Sequence, residues 1–197
     1  MKRVLMVHAS VRTERSSSRQ LGYELVANWH QQFADLLVTQ RDLNLSPLPH
    51  FSDATYAAFS GELESAASQQ ALALSESLIH EFEQADAVVF TVPVYNWSIP
   101  STLKAYIDHL ARSGRSFHYV DGECVGLLAD KPVYLVIASG GAEIGSTEKQ
   151  LIEPLAMMGV TDVTTLHASH LDTQQRAQKL AEIENRVSNL VDSAAAA

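Results

Sequence analysis

Serine and arginine dominate the segment from Ser10 to Arg19, which reads SVRTERSSSR. Serines at the start of a helix leave the amide donors of the first turn free to bind an anion, and their hydroxyl groups add further donors. The segment therefore predicts a phosphate site, whose candidate residues are Ser10, Ser16, Ser17 and Ser18. The alternative is that one serine is an ordinary helix N-cap and the others are solvated.

A second segment, from Pro93 to Pro100, reads PVYNWSIP and places two aromatic residues around an amide. Tyr95 and Trp97 can cover a flat aromatic ligand, and Asn96 offers both a donor and an acceptor to the edge of a heterocycle. The prolines restrict the backbone of the segment. The alternative is that the aromatic side chains only pack and that Asn96 is a turn residue.

The third segment is the loop Ser139-Gly140-Gly141. Glycine has no Cβ, so the backbone amides of such a loop can approach a ligand closely. No G-x-G-x-x-G follows the first apolar run, and no G-x-x-x-x-G-K-[ST] occurs in the chain. This absence disfavours a Rossmann dinucleotide site and a P-loop, and it leaves a mononucleotide phosphate as the better match.

Each of the three segments follows an apolar run that predicts a buried strand. Five such runs occur, at residues 3–9, 36–40, 87–92, 132–138 and 160–166. Apolar residues at helical spacing lie between them, most clearly from Leu103 to Ala111, and a last amphipathic helix is predicted from Leu180 to Val191. Alternating strands and helices predict an α/β fold with a parallel sheet covered on both faces, in one domain over residues 1–197. Ligands bind at the carboxyl edge of such sheets, where the three segments meet.

Composition restricts the classes of partner. The chain has 197 residues, a formal net charge of −9 and one cysteine, Cys124. An intramolecular disulfide and a cysteine-rich zinc site are excluded, and the lone cysteine is typical of a reducing cytoplasm. The net negative charge makes nucleic acid and anionic membranes poor partners, and no apolar stretch approaches the roughly 18 residues of a membrane span. We expect a soluble cytoplasmic protein without a metal, because among the histidines only His167 and His170 are close enough to suggest a ligand pair.

Several ordered motifs together resemble one family. They are S-x5-S-x-S from Ser10 to Ser18, Arg41-Asp42-Leu43, P-x-Y-N-x-x-I-P-x-x-L-K from Pro93 to Lys104, F-x-Y from Phe117 to Tyr119, and Ser139-Gly140-Gly141. On these residues the chain resembles the FMN-dependent NADH-azoreductases, also described as FMN-dependent NADH:quinone oxidoreductases, of the flavodoxin-like superfamily. The match departs from the family pattern after Ser139, where the family commonly carries an arginine and this chain has Gly140.

The resemblance implies a flavodoxin-like fold whose five parallel strands lie in the order 2-1-3-4-5. It also assigns the site residues. Ser10, Ser16, Ser17 and Ser18 would bind the phosphate and ribityl chain of FMN. The isoalloxazine ring would be framed by Val94, Tyr95, Asn96 and Trp97, and its polar edge would meet Ser139, Gly140 and Gly141. Phe117 and Tyr119 would border the substrate pocket, partly across the interface of a homodimer.

The implied activity is transfer of two electrons from NADH or NADPH through bound FMN to quinones or azo compounds, by a ping-pong mechanism. Asn96, Phe117 and Tyr119 are the candidate catalytic residues. One alternative is an NADPH-dependent FMN reductase that releases reduced flavin. The others are a flavodoxin-like one-electron carrier and a binding protein of this fold that has lost flavin.

Overall fold

A computed structural model of the protein describes residues 1–140 and 145–167, together with positions 178 and 181. Gly141, His170 and the apolar residues that mark the predicted last helix (Leu180, Ile183, Val187, Leu190 and Val191) lie outside the described residues.

Residues 1–140 and 145–167 contain seven strands and five helices. The strands are β1 (Arg3–His8), β2 (Leu37–Asp42), β3 (Ala87–Pro93), β4 (Phe117–Val120), β5 (Glu123–Gly126), β6 (Val133–Ala138) and β7 (Val163–His167). The helices are α1 (Ser17–Gln32), α2 (Asp53–Phe59), α3 (Ala66–Gln84), α4 (Ser101–Leu110) and α5 (Gly145–Met157). None of the helices in this part of the chain combines the length and the apolar character that crossing a membrane requires.

Five of the strands form a parallel sheet in the order β2-β1-β3-β6-β7. Counting only the strands of this sheet, the order is 2-1-3-4-5, so the predicted fold is confirmed. The last strand begins at Val163 rather than at residue 160. The reason is that the carboxylate of Asp130 accepts hydrogen bonds from the backbone amides of Thr161 and Asp162, at 2.8 and 3.1 Å, so these amides are not available to a neighbouring strand.

Apolar residues alternate between the two faces of the sheet and build a core on each. Leu5 and Val7 of β1 belong to the core under α3, α4 and α5, whereas Val4 and Met6 belong to the core under α1. The central strand β3 is buried along its whole length, as expected for a strand covered on both faces. On α1 the buried face includes Trp29, which is fully enclosed.

The strands β4 and β5 form an antiparallel hairpin that the sequence analysis did not predict. Its turn residues Asp121 and Gly122 have φ values of 51° and 88°. Asp-Gly is a favoured pair for a two-residue hairpin turn, because both central residues need positive φ. The base of the hairpin packs backbone to backbone against the turn after α5: a Cβ added to Gly126 would come within 2.1 Å of the Gly159 nitrogen.

Helix α1 lies unusually close to the sheet at Gly22. A Cβ at this position would come within 2.5 Å of the Thr91 Cγ2 atom of β3. Thr91 is fully buried, and its hydroxyl group is 2.9 Å from Nδ1 of His8, so the side chain cannot rotate away freely. The absence of a side chain at Gly22 therefore sets how closely α1 can approach the sheet.

We expect Gly22→Ala to lower the free energy of unfolding by up to about 2 kcal/mol, because an overpacking cost of about 1–3 kcal/mol is only partly offset by the gain of about 1 kcal/mol in helix propensity. Urea unfolding measures the change. The double variant Gly22→Ala/Thr91→Ser, which removes the clashing methyl group, should recover most of the loss relative to Thr91→Ser alone. Additive losses in the double variant would contradict the proposed contact.

Candidate cofactor-binding site

The carboxyl ends of β1, β3 and β6 open into a cleft of about 340 Å³. Residues of all three predicted segments line it, namely Ser10, Ser16, Ser17, Ser18, Val94, Tyr95, Ser139 and Gly140. Asn96 and Trp97 belong to the second segment but are not part of the cleft wall, and Gly141 lies outside the described residues. The fold thus brings the three segments together at one edge of the sheet.

The serine segment forms one side of the cleft. Ser16 is the N-cap of α1, and its hydroxyl oxygen accepts a hydrogen bond from the Arg19 amide at 3.4 Å. Ser18 is 3.2 Å from Ser16, measured between the hydroxyl oxygens, and Ser17 also lines the cleft. The first turn of α1 carries no acidic residue. An N-cap role therefore explains Ser16 in part, while the amides and hydroxyl groups around it form a donor set suited to an anion.

Two arginines that sequence reasoning missed, Arg12 and Arg15, also line the cleft. They are the only charged side chains among the described residues of its wall. The sequence predicted that helix amides and serine hydroxyl groups would hold the anion, whereas in the structure two arginine residues also line the cleft. The signal was present in the alternation of arginine with serine between Ser10 and Arg19.

Arg19 joins the serine segment to the end of β2. Its side chain is 4% exposed and donates two hydrogen bonds to the Asp42 carboxylate, at 2.6 and 2.9 Å. A third bond, of 2.7 Å, runs from Nη2 to the carbonyl oxygen of Ser10. Burial favours the protonated carboxyl group of Asp42, but bonds from Arg19 and from the amides of Asn44 and Leu45 outweigh it and lower the pKa below its ordinary value. Asp42 therefore stays ionised as the counter-ion of Arg19.

His8 lies buried next to this ion pair. Its Nδ1 atom is 2.9 Å from the Thr91 hydroxyl oxygen, and its ring packs against Tyr23 at 5.1 Å between centroids. Burial, followed by the nearby charge of Arg19, lowers the pKa of His8 to about 4. His8 is therefore neutral at neutral pH, and it adds no positive charge beneath the serine segment.

The second segment forms a tight two-residue turn at the cleft edge. Tyr95 and Ser98 exchange two backbone hydrogen bonds of 3.1 Å. Between them, Asn96 and Trp97 have φ values of 49° and 65°. The left-handed region is tolerated by asparagine but is unusual for a bulky residue, and strain of this kind concentrates at functional sites. The Ser98 hydroxyl group also donates to Gln150 of α5 at 2.7 Å, which ties the turn to the helix after the glycine loop.

Tyr95 and Trp97 have different environments. The Tyr95 hydroxyl group is 3.2 Å from the Ser10 hydroxyl oxygen, so Tyr95 connects the first and second segments across the cleft. The side chain of Trp97 is 78% exposed. That exposure excludes the alternative in which Trp97 packs into the core.

The hairpin carries the remaining predicted residues, and they lie outside the cleft wall. Phe117 is buried, Tyr119 is exposed, and their rings are perpendicular at 5.7 Å between centroids. Their place in a substrate pocket stays a prediction. Across the described residues no cluster of three or more histidine, cysteine or acidic side chains could hold a metal ion. His167 ends β7 beside Glu148, with its Nε2 atom 3.6 Å from the carboxylate.

Comparison with known proteins places this architecture in a family. The family model for the flavodoxin-like fold (Flavodoxin_2) matches residues 2–191. The FMN-dependent NADH:quinone oxidoreductase of Herminiimonas arsenicoxydans is 36% identical over 204 residues, which cover 97% of this chain and 99% of that protein.

Two solved structures share the fold along most of their length. The azoreductase from Bacillus anthracis strain Sterne has a TM-score of 0.77 and 28% identity, and the match covers 91% of this chain and 93% of that one. The FMN-dependent NADH-azoreductase from Bacillus anthracis strain Ames Ancestor, solved in complex with FMN, has a TM-score of 0.81 over 96% and 99% of the two chains. At 22% identity it demonstrates likeness of fold alone. With the sheet order, the cleft and a family match along nearly the whole chain, this protein belongs to the flavodoxin-like family.

Proposed function

We propose that this protein is an FMN-dependent NADH:quinone oxidoreductase that also reduces azo compounds, built as one FMN-binding domain over residues 1–197. The observation that carries the proposal is the cleft at the carboxyl edge of the sheet, where a cationic, hydroxyl-rich wall meets the Tyr95–Ser98 turn. The names of the relatives support the same activity.

The residues present fit FMN. The donor set of the serine segment, with Arg12 and Arg15 beside it, has the charge and hydrogen-bonding character that a phosphate group requires. Val94 and Tyr95 line the adjoining wall, next to Ser139 and Gly140. A phosphate at one end and a ring at the other would use both halves of the cleft.

When bound, FMN supplies the capacity to accept a hydride from NADH and to pass two electrons to a quinone or azo compound. The protein supplies position and electrostatics. We assign to Asn96, with the amides of the Ser139–Gly141 loop, donation of hydrogen bonds to the polar edge of the ring, which stabilises negative charge that develops there. Nicotinamide and acceptor share one pocket, so the first must leave before the second binds. Whether NADPH can replace NADH depends on contacts beyond these residues.

We further propose that the working form is a cytoplasmic homodimer. Phe117 and Tyr119 do not line the cleft of their own chain, and the hairpin that carries them exposes apolar side chains, including Tyr119 at 63% and Val120 at 47%. A partner subunit at this hairpin would cover those side chains and bring Tyr119 towards a substrate pocket.

Addition of one equivalent of NADH to the FMN-reconstituted protein, without oxygen, should bleach the flavin absorbance without a semiquinone band. Hydride transfer delivers both electrons together, which is the reason for the missing intermediate. Bound flavin that stays oxidised would indicate a one-electron carrier. A protein that retains no flavin would contradict the role of the cleft and favour a reductase that uses FMN as a substrate.

Initial rates measured with varied NADH at several fixed quinone concentrations should give parallel double-reciprocal lines. Parallel lines are expected because each substrate occupies the same space in turn. Intersecting lines would contradict the shared pocket.

Asn96→Ala should slow reduction by NADH on the order of 100-fold, as found for removal of a donor at a developing negative charge, while the Kd for FMN changes little. Stopped-flow absorbance and fluorescence titration measure the two quantities. Because φ is 49° at this residue, Asn96→Gly is the matched control: it also removes the amide but adopts this backbone without strain. Slow reduction in the alanine variant alone would assign the effect to the backbone rather than to the amide.

A further inference from the structure

We propose that Arg19 is a positioning residue of the FMN phosphate site: by joining the Ser10 carbonyl group to the Asp42 carboxylate, it fixes Ser10 relative to the first turn of α1 and the end of β2. This inference rests on the proposed FMN-binding function. It assigns a role to a buried cation that the proposed chemistry does not use.

Arg19 lies in the first turn of α1, and its side chain is buried, with 4% exposure. Its Nη1 and Nη2 atoms bind the two oxygens of Asp42 at 2.6 and 2.9 Å, and Nη2 also binds the Ser10 carbonyl oxygen at 2.7 Å. One planar guanidinium group therefore connects the residues that follow β1, the first turn of α1 and the end of β2.

The Asp42 end of this connection is rigid. Asp42 pairs with His8 in the parallel register of β1 and β2. Its Oδ1 atom also accepts hydrogen bonds from the amides of Asn44 and Leu45, at 2.9 and 3.3 Å. The guanidinium group of Arg19 must place two N–H donors on this fixed carboxylate, and few relative orientations of the two groups allow both hydrogen bonds. The position of the Ser10 carbonyl group follows from that match.

Ser10 is the residue through which Arg19 would act on the ligand. Its hydroxyl oxygen lies 3.2 Å from the Tyr95 hydroxyl oxygen and accepts a bond from the Arg12 amide at 3.2 Å. Ser10 is also buried in the cleft wall. A shift of its backbone would therefore move a phosphate ligand and the arginine that follows it.

Arg19 acts through geometry rather than through net charge. Asp42 neutralises its charge at hydrogen-bond distance, whereas Arg12 and Arg15 line the cleft as exposed cations. The explanation by charge and the explanation by geometry predict opposite changes in phosphate binding for Asp42→Asn. If charge mattered most, removal of the counter-ion would strengthen phosphate binding. If geometry matters most, the weaker hydrogen bonds between Arg19 and the substituted side chain would let the Ser10 backbone shift, and phosphate binding would weaken.

The test measures the Kd of FMN and of riboflavin, which lacks the phosphate, for the full-length chain freed of flavin. Flavin fluorescence quenching provides both values. We expect Arg19→Lys to weaken FMN binding by about 10- to 100-fold, the effect of losing a charge-assisted hydrogen bond, and to change riboflavin binding by less than about 3-fold. Asp42→Asn should also weaken FMN binding selectively.

Arg41→Lys is the matched control. Arg41 is the neighbour of Asp42 and makes a similar two-bond pair with Glu81 of α3, at 3.0 and 3.1 Å, but it does not line the cleft. The change of side chain and the loss of a forked ion pair are the same in both variants. Arg41→Lys should leave both flavin affinities within about 2-fold of wild type, below the loss expected for a hydrogen bond at the ligand.

Four outcomes would overturn the role of Arg19: unchanged FMN affinity in Arg19→Lys, equal losses for FMN and riboflavin, equal FMN losses in Arg19→Lys and Arg41→Lys, or tighter FMN binding in Asp42→Asn. Should Arg19→Lys fail to fold, Asp42→Asn decides the question by the sign of its effect. A wild-type protein that binds neither flavin would instead contradict the proposed function itself.

Discussion

The close packing of α1 on the sheet at Gly22 is the constraint on which the rest of the site depends. With the helix held this near to β3, Arg19 in its first turn reaches the Asp42 carboxylate at the end of β2. A side chain at Gly22 would lift the helix and lengthen those bonds. The orientation of the amides of Ser16–Ser18, and hence the direction in which α1 presents its positive end, follows from a contact made in the second turn of the helix.

The charge of the cleft wall is opposite in sign to the net charge of the protein. The chain carries a net charge of −9, while the cleft wall contains arginine as its only charged residue type among the described residues. Beneath it, Arg19 is compensated by Asp42, and His8 is kept neutral by burial. An anionic ligand is therefore attracted only at short range, and its selection depends on local contacts rather than on steering from a distance.

The sequence allowed prediction of those features that depend on local residue types. Continuous apolar runs identified all five strands of the sheet, and polar segments after three of them identified most of the cleft wall. The features that were missed depend on contacts between distant residues. Arg19 and Asp42 are 23 positions apart in the sequence, so no local sequence pattern predicts that they pair. The positive φ of Trp97 is likewise imposed by the bonds of Tyr95 and Ser98, against the preference of the residue. Two missed features were nevertheless visible in the local sequence: the Asp121-Gly122 turn of the hairpin, and Arg12 and Arg15 among the serines.

The two tryptophans of the chain differ strongly in solvent exposure, so their fluorescence can report on two different parts of the protein. Trp29 is sealed in the core beneath α1, and Trp97 is 78% exposed on the turn beside the cleft. The emission of a buried indole and that of a hydrated indole differ in colour, so their fluorescence can be separated without a label. The blue component reports on the integrity of the fold, and the red component reports on events at the cleft edge.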